Sequence, residues 1–194
     1  LLLFLALERM PTGRYWATQL PVDARIPFCE WFVIPYCLWY PLLAAVGLYL
    51  LFRDRAAFRR YMLFLGTAFL LSALLWFLIP NGQDLRPAVL PRENFLTALV
   101  AGLYHIDTNT NVFPSVHVLG SVGAALAVWD CGALKRRQAL RAGAAVLAAL
   151  ICLSTLLIKQ HTVLDVAGGL LLGGMIARPV YRHTLESRIS RKLA

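Results

Sequence analysis

The chain has 194 residues, of which 59% are hydrophobic and only 15% are charged. Its mean hydropathy of +0.65 excludes an ordinary soluble domain and indicates an integral membrane protein. The formal net charge is +9. The basic residues lie in short segments between apolar runs, however, and this argues against a nucleic-acid-binding surface.

Apolar runs close to the length that crosses the hydrocarbon core of a bilayer recur along the chain. They predict membrane-spanning helices at about 30–52, 61–79, 115–131, 139–158 and 161–181. No linker, repeat or low-complexity tract divides the chain, so residues 1–194 are expected to form a single membrane-embedded domain.

The chain opens with the apolar run Leu1–Leu7. It could be the remnant of a signal peptide, but we interpret it as the tail of a further span that is truncated here. The predicted fold is therefore all-α, a polytopic transmembrane helix bundle with six spans in the full protein. The longest segment outside the spans runs from Asn81 to Pro114, and its middle, Glu93 to Tyr104, is expected to form a short amphipathic helix at the membrane interface.

Other features of the spans are interpreted as structural. Gly168 and Gly169, followed by Gly173 and Gly174, place small residues four apart and predict close helix packing. Four aromatic residues near the start of the first complete span predict an interfacial belt: Trp31, Tyr36, Trp39 and Tyr40.

The distribution of basic residues sets the expected orientation. If the spans alternate in direction, 13 of the 19 Lys and Arg residues fall on one face. These are Arg53, Arg55, Arg59, Arg60, Lys135, Arg136, Arg137, Arg141, Arg178, Arg182, Arg188, Arg191 and Lys192. By the positive-inside rule this face is cytoplasmic.

Three polar segments interrupt the apolar pattern, and the same alternation places all of them on the opposite, extracytoplasmic face. They are Asn81–Pro87, Pro114–His117 and Lys159–Asp165. Charged side chains cost about 2.5–3.5 kcal/mol each at mid-membrane and are rare there without a function. Charged and polar side chains clustered beside apolar runs are therefore candidates for a functional site. Together the three segments predict one site.

The residue types in these segments suit chemistry on a phosphate. His161 and Asp165 are four residues apart, so on a helix the carboxylate can hold one ring nitrogen and leave the other to act as a nucleophile or base. Ser115 and His117 follow Pro114 at a predicted helix N-terminus, where free N–H groups favour anions. Each feature also has a plain structural explanation, a helix cap or an interfacial side chain.

Arg86 carries a guanidinium that is suited to bidentate binding of phosphate. Taken alone, Arg86 and its neighbour Pro87 are better explained as an ordinary interfacial anchor. The conjunction of Arg86 with the two histidine-containing segments on one face is what favours a functional site.

The ordered set Arg-Pro, Pro-Ser-x-His and Ser-x6-His-x3-Asp resembles the type 2 phosphatidic acid phosphatase superfamily. The resemblance covers Asn81 to Asp165 and implies a six-helix membrane enzyme with an extracytoplasmic site. It implies that His161 attacks phosphorus to form a phosphohistidine, that Asp165 orients it, and that His117 protonates the leaving alcohol. No metal or other cofactor is implied, and the implied partners are a lipid phosphate and the surrounding membrane lipids.

The resemblance further implies that Ser115 and Arg86 hold the phosphoryl oxygens. Two positions depart from the family pattern. Ile79 stands where the first motif has a lysine, and Thr155 stands where the third motif has an arginine. Lys159 is expected to replace one of these cations, and Gln83 is expected to add a neutral donor.

Several alternatives stay open at this point. The variant pattern also resembles the branch that includes inositol phosphorylceramide synthases, which are phosphotransferases that pass the group to a lipid hydroxyl in place of water. A metal hydrolase with His117, His161 and Asp165 as ligands would lose activity with a chelator. A non-enzymatic haem binder using His117 and His161 would show a Soret band.

The orientation yields a testable prediction. A reporter domain fused after Ala194 should lie in the cytoplasm, because the last predicted span ends among basic residues. The check is protease access in sealed cells. Cleavage of the reporter from outside would contradict the predicted topology.

Overall fold

The computed structural model describes residues 15–182. The interpretation of Leu1–Leu7 as the end of a truncated span therefore lies outside the described residues. Within them the chain is mostly helical, which confirms the predicted all-α bundle. A two-residue parallel pairing also joins β1 (Trp16–Ala17) to β2 (Asn81–Gly82).

The long helices fall where the apolar runs predicted them. Helices α1 (Val33–Cys37) and α2 (Trp39–Arg53) follow a 3-10 turn at Glu30–Phe32, and the next helix is α3 (Arg55–Leu78). After the polar segment come α4 (Phe95–Ile106), α5 (Val116–Asp130), α6 (Gln138–Leu157) and α7 (Val163–Val180). Four stretches within residues 15–182 are long and apolar enough to cross a membrane: Glu30–Arg53, Arg55–Leu78, Gln138–Leu157 and Val163–Val180.

The remaining predicted span, 115–131, is the helix α5, which has only 15 residues. At a rise of 1.5 Å per residue it is about 22 Å long, shorter than the hydrocarbon core. It packs against α2, α3, α6 and α7, and most of its residues are buried. A helix enclosed by its neighbours meets little lipid, so it needs less length than a peripheral span.

Small residues let α5 and its neighbours approach closely, as the glycine pattern predicted for α7. A Cβ atom built on Gly169 would lie 2.9 Å from Cβ of Val118 and 3.0 Å from the carbonyl oxygen of Ser115. A Cβ atom built on Gly174 would have no neighbour within 4 Å. The contact face of α7 is therefore the side that carries Gly169, and it lies against the first turn of α5.

The two ends of the bundle differ in character. At one end, the N-cap residue Asp54 accepts hydrogen bonds from the backbone N–H of Ala57 at 3.0 Å and of Gly132 at 2.9 Å. Arg60 forms an ion pair with Asp130 at 2.7 Å at this end. At the other end, the three polar segments meet, so the bundle separates its basic loops from the predicted site.

The Gly169 contact predicts a specific loss of stability. Gly169→Ala should lower the thermal unfolding temperature in detergent, because overpacking of a tight helix contact costs about 1–3 kcal/mol. Gly174→Ala on the same helix is the matched control and should be neutral or stabilising, since alanine favours helix and meets open space. Equal unfolding temperatures for the two variants would contradict the close packing of α7 on α5.

Candidate active site

The chain reverses direction between α6 and α7, and this reversal places His161. The carbonyl oxygen of Thr155 accepts hydrogen bonds from the backbone N–H of Gln160 at 2.9 Å and of His161 at 3.0 Å. Lys159 adopts a left-handed conformation with φ of 57°. Such a conformation is uncommon for residues other than glycine, so this turn is held by its surroundings.

Asp165 has a structural role beside the one predicted from its spacing. Thr162 caps α7, and its hydroxyl accepts from the N–H of Asp165 at 3.2 Å, while Oδ2 of Asp165 accepts from the N–H of Thr162 at 2.7 Å. This reciprocal pair is a capping box. The Thr-x-x-Asp pattern was the signal for it in the sequence, and sequence reasoning missed Thr162.

His161 and Asp165 meet, although not as two residues on one helix face. His161 precedes the N-cap Thr162, so the turn into α7 brings the two side chains together. Nδ1 of His161 lies 3.6 Å from Oδ2 of Asp165, slightly beyond hydrogen-bond length. The other carboxylate oxygen, Oδ1, is buried without a partner, so a small rotation of either side chain would complete the bond.

His117 lies in the first turn of α5 and is held by aromatic rings. Its imidazole stacks on Tyr36 with ring centroids 4.3 Å apart and packs against Trp39 at 4.5 Å. Its ring centroid lies 5.6 Å from that of His161. Both ring nitrogens of His117 are buried without a hydrogen-bond partner. A buried unpartnered polar group costs about 1–3 kcal/mol, which is typical of a site that receives a ligand.

The N-terminus of α5 is tied directly to that of α7. Ser115 caps α5, with its hydroxyl accepting from the N–H of Val118 at 3.4 Å. Its own backbone N–H donates to the carbonyl oxygen of Asp165 at 3.1 Å. The predicted residue Ser115 therefore lies between the two histidine-containing segments, and it is fully buried.

A small pocket of about 30 Å³ joins the two histidines. Its lining residues come from α1, the loop between α4 and α5, the start of α5, and the reversal: Tyr36, Asp107, Thr108, Thr110, Asn111, Val112, Val116, His117, Gln160 and His161. Oδ2 of Asp107 accepts from the hydroxyl of Tyr36 at 2.8 Å. No lysine or arginine lines this pocket among residues 15–182.

Two polar residues of the segment after α3 hold the walls of the pocket. The side chain of Asn81 accepts from the N–H of Phe113 at 2.7 Å and donates to the Phe113 carbonyl at 3.2 Å. The amide of Gln83 donates to the carbonyl oxygens of Lys159 at 3.0 Å and Gln160 at 3.3 Å. Gln83 was predicted to donate to the substrate, but in this structure its donor group is used to fix the reversal.

Arg86 likewise contacts the protein itself. Its guanidinium donates to the carbonyl oxygens of Tyr104 at 3.0 Å and of Asp107 and Thr108 at 2.8 Å, and also to Oε1 of Gln160. These bonds join the loop after α4 to the reversal. The contacts favour a positioning role for Arg86 over the predicted direct contact with phosphate.

Lys159 is directed away from the pocket. Its ammonium donates to the carbonyl oxygens of Asp23 at 2.9 Å and Ile26 at 2.5 Å, and the side chain is largely buried. Burial lowers the pKa of Lys159, and the nearby Asp23 carboxylate opposes that shift. The expectation that Lys159 replaces a missing phosphate-binding cation is therefore not favoured by its contacts.

The aromatic residues divide into two groups. Trp31 and Tyr40 are more than half exposed, as expected for an interfacial belt, whereas Tyr36 and Trp39 are buried against His117. Sequence reasoning assigned all four residues to the belt. The three-residue spacing of Tyr36 and Trp39 was the available signal, because it places both rings on one side of the chain.

The described chain is thus a polytopic helical membrane protein. Its pocket brings together two histidines, and Asp165 lies beside one of them, His161. The family model of the PAP2 superfamily matches residues 61–188, and the chain belongs to this superfamily. Its members are phosphatases and phosphotransferases, so a phosphatase-type activity on phosphate esters follows for this membrane protein. Comparison with curated proteins and with solved structures gave no match.

Membership confirms the resemblance drawn from the motifs. The residues that depart from the family pattern take structural positions. Ile79 is half exposed at the end of α3, and Thr155 is buried with its hydroxyl donating to the carbonyl oxygen of Cys152 at 2.8 Å. Within residues 15–182, no group of three or more His, Cys, Asp or Glu residues is arranged to hold a metal ion.

Lys159 provides a test of these contacts. Lys159→Ala should lower the free energy of unfolding by about 2–4 kcal/mol, because two hydrogen bonds to an ammonium are lost and two carbonyls are left unpaired. The Michaelis constant for phosphate esters should be unchanged. Thermal unfolding and steady-state kinetics measure both, with the exposed Lys135→Ala as control. A raised Michaelis constant with unchanged stability would restore Lys159 as a phosphate ligand.

Proposed function

We propose that this protein is a lipid phosphatase that hydrolyses a lipid phosphomonoester or pyrophosphate at the extracytoplasmic membrane face. The observation that carries the proposal is the buried pair of histidines in one pocket, with the nitrogens of His117 and Nδ1 of His161 lacking protein partners. The positive-inside distribution of basic residues supports the choice of face.

His161 is the proposed nucleophile. Its Nε2 atom attacks phosphorus. The carboxylate of Asp165 accepts a hydrogen bond from the N–H at Nδ1 and stabilises the positive charge that develops on the ring. The distance of 3.6 Å between Nδ1 and Oδ2 of Asp165 is short enough for that bond to form on a small rotation. The product of this step is a phosphohistidine, and the bond to the leaving alkoxide breaks.

His117 is the proposed acid and base. Protonated, it gives a proton to the departing lipid alcohol, and it then takes a proton from the water that attacks the phosphohistidine. Such proton transfer typically contributes about 10²- to 10⁴-fold in rate. Tyr36 and Trp39 hold the imidazole on two sides, so its position relative to His161 is set before substrate binds.

The helix N-termini supply electrostatic stabilisation in this proposal. The pocket lies beside the starts of α5 and α7, where backbone dipoles favour negative charge. Ser115 caps the first of these helices and is joined to Asp165 in the second. The residues that would bind the phosphoryl group are therefore largely neutral, in contrast to the cations expected from the family pattern.

A pocket wall without lysine or arginine among residues 15–182 also favours a second candidate, a phosphotransferase of the inositol phosphorylceramide synthase type. A phosphodiester carries one negative charge, whereas a phosphomonoester carries up to two, and a pocket lined by no lysine or arginine among the described residues suits the lower charge. In this candidate the phosphohistidine keeps the headgroup ester of its donor and passes the whole group to a lipid hydroxyl. The two candidates therefore differ in the charge of the donor phosphate and in what attacks the second time.

The first experiment measures free phosphate released from phosphatidate by the detergent-purified protein in excess EDTA. Release is expected for the native chain, and His161→Ala and Asp165→Asn should abolish or cripple it without unfolding the protein. His105→Ala, an exposed histidine on α4, is the matched control and should retain full activity.

A His161→Ala protein that works at the full rate would end the phosphohistidine proposal. Loss of activity in EDTA, with recovery on adding a divalent cation, would favour a metal hydrolase. A folded native protein that releases no phosphate, but transfers a headgroup from a phospholipid to a lipid hydroxyl, would establish the phosphotransferase.

A further inference from the structure

Gln160 lies beside the proposed nucleophile and is largely buried, with 3% of its surface exposed. It lines the same pocket as His117 and His161. Its backbone N–H donates to the carbonyl oxygen of Thr155 at 2.9 Å, and its own carbonyl oxygen accepts from the side chain of Gln83 at 3.3 Å. The backbone of Gln160 is thus fixed on both sides.

The orientation of the Gln160 amide is set by Arg86. A guanidinium only donates, so the atom that faces it must be the oxygen, Oε1, and Oε1 does accept from Nη2 of Arg86. The amide nitrogen, Nε2, therefore points elsewhere, and it is buried without a hydrogen-bond partner. Leaving a buried donor unpaired costs about 1–3 kcal/mol, and a residue that lines a pocket recovers this cost when a ligand binds.

The chemistry of the pocket calls for such a donor. The family pattern has cations at the positions of Ile79 and Thr155, and Lys159 and Arg86 bind carbonyl groups in this structure. A phosphoryl group entering the pocket would need hydrogen-bond donors from other residues. The free N–H groups of Gln160 are adjacent in sequence to the nucleophile His161, and they carry no net charge.

We propose that the side-chain amide of Gln160 donates hydrogen bonds to a phosphoryl oxygen of the substrate, in place of the cations missing from the family pattern, and that Arg86 is the positioning residue that orients this amide. The inference rests on the proposed phosphoryl-transfer function. The guanidinium on Oε1 also polarises the amide, and this strengthens the hydrogen bonds that Nε2 can donate.

The test measures binding of orthovanadate, a phosphate analogue, to the full chain in detergent by isothermal titration calorimetry, with phosphate release from phosphatidate measured in parallel. Gln160→Met keeps the length of the side chain and removes the donor. It should weaken vanadate binding by about 10- to 100-fold, the value of one hydrogen bond to a charged group. Gln138→Met makes the same change at an exposed site at the far end of α6 and should bind as the native chain does.

Gln160→Glu gives a second, independent test. The carboxylate keeps an acceptor for Arg86, so the local fold is retained, but it offers no N–H and adds a negative charge. We expect it to bind vanadate more weakly than Gln160→Met does. If Gln160→Met fails to fold, Gln160→Leu, which also removes the donor without adding a charge, takes its place.

Arg86 is tested through its effect on Gln160. Arg86→Lys should weaken vanadate binding in the native background and should have little further effect in the Gln160→Met background, because the two residues act in series. An additive effect in the double variant would assign Arg86 a direct contact with the phosphoryl group and would overturn its positioning role.

The outcomes separate the two levels of the proposal. A native chain that neither binds vanadate nor releases or transfers a phosphoryl group would remove the proposed function. A native chain that is active and binds vanadate, with folded Gln160 variants of unchanged affinity, would overturn the assignment of Gln160 alone.

Discussion

The tight reversal between α6 and α7 is the constraint on which the site depends. One carbonyl oxygen, that of Thr155, accepts hydrogen bonds from the backbone N–H of both Gln160 and His161. The side chain of Gln83 donates to the carbonyl oxygens of Lys159 and Gln160. Lys159, whose backbone has a left-handed conformation, completes the turn. The residues of this reversal are buried, so their backbone groups must find partners within the protein. The residues that supply these partners also form the pocket wall.

The same region carries a cost that the rest of the bundle offsets. Polar atoms of His117, His161, Asp165 and Gln160 are buried without partners, and each such atom costs about 1–3 kcal/mol. Elsewhere, Asp54 caps α3 and Asn94 caps α4. The close contact of α5 with α7 also gains dispersion energy where small residues let the backbones approach. Stability is thus concentrated in the contacts between helices, and the unsatisfied groups are concentrated at one end of the bundle.

The helices could be predicted from the sequence because their length and apolar character reflect a single constraint, the thickness of a bilayer. His117, His161 and Asp165 could be brought together by alternation alone, since spans that cross a membrane return to the same face. The contacts of Arg86 and Lys159 could not be predicted in this way. The partners of Lys159 are carbonyl oxygens in and just after the 3-10 turn at Asp23–Arg25. Those of Arg86 include carbonyl oxygens at the end of α4 and in the loop after it. All of these oxygens take their positions only once the chain has folded.

The aromatic rings around His117 bear on where the functional unit begins. The region matched by the family model starts at residue 61, and the motifs lie within it. Tyr36 and Trp39, however, come from the preceding span. Asp23 and Ile26, whose carbonyl oxygens bind Lys159, come from before that span. The segment by which the family is recognised is therefore not self-sufficient. Consider a chimera that joins the motif-bearing helices of this protein to the leading segment of a relative. In it, His117 and the reversal between α6 and α7 would lose the contacts that orient them. The leading segment and the motif-bearing helices would therefore have to be exchanged together.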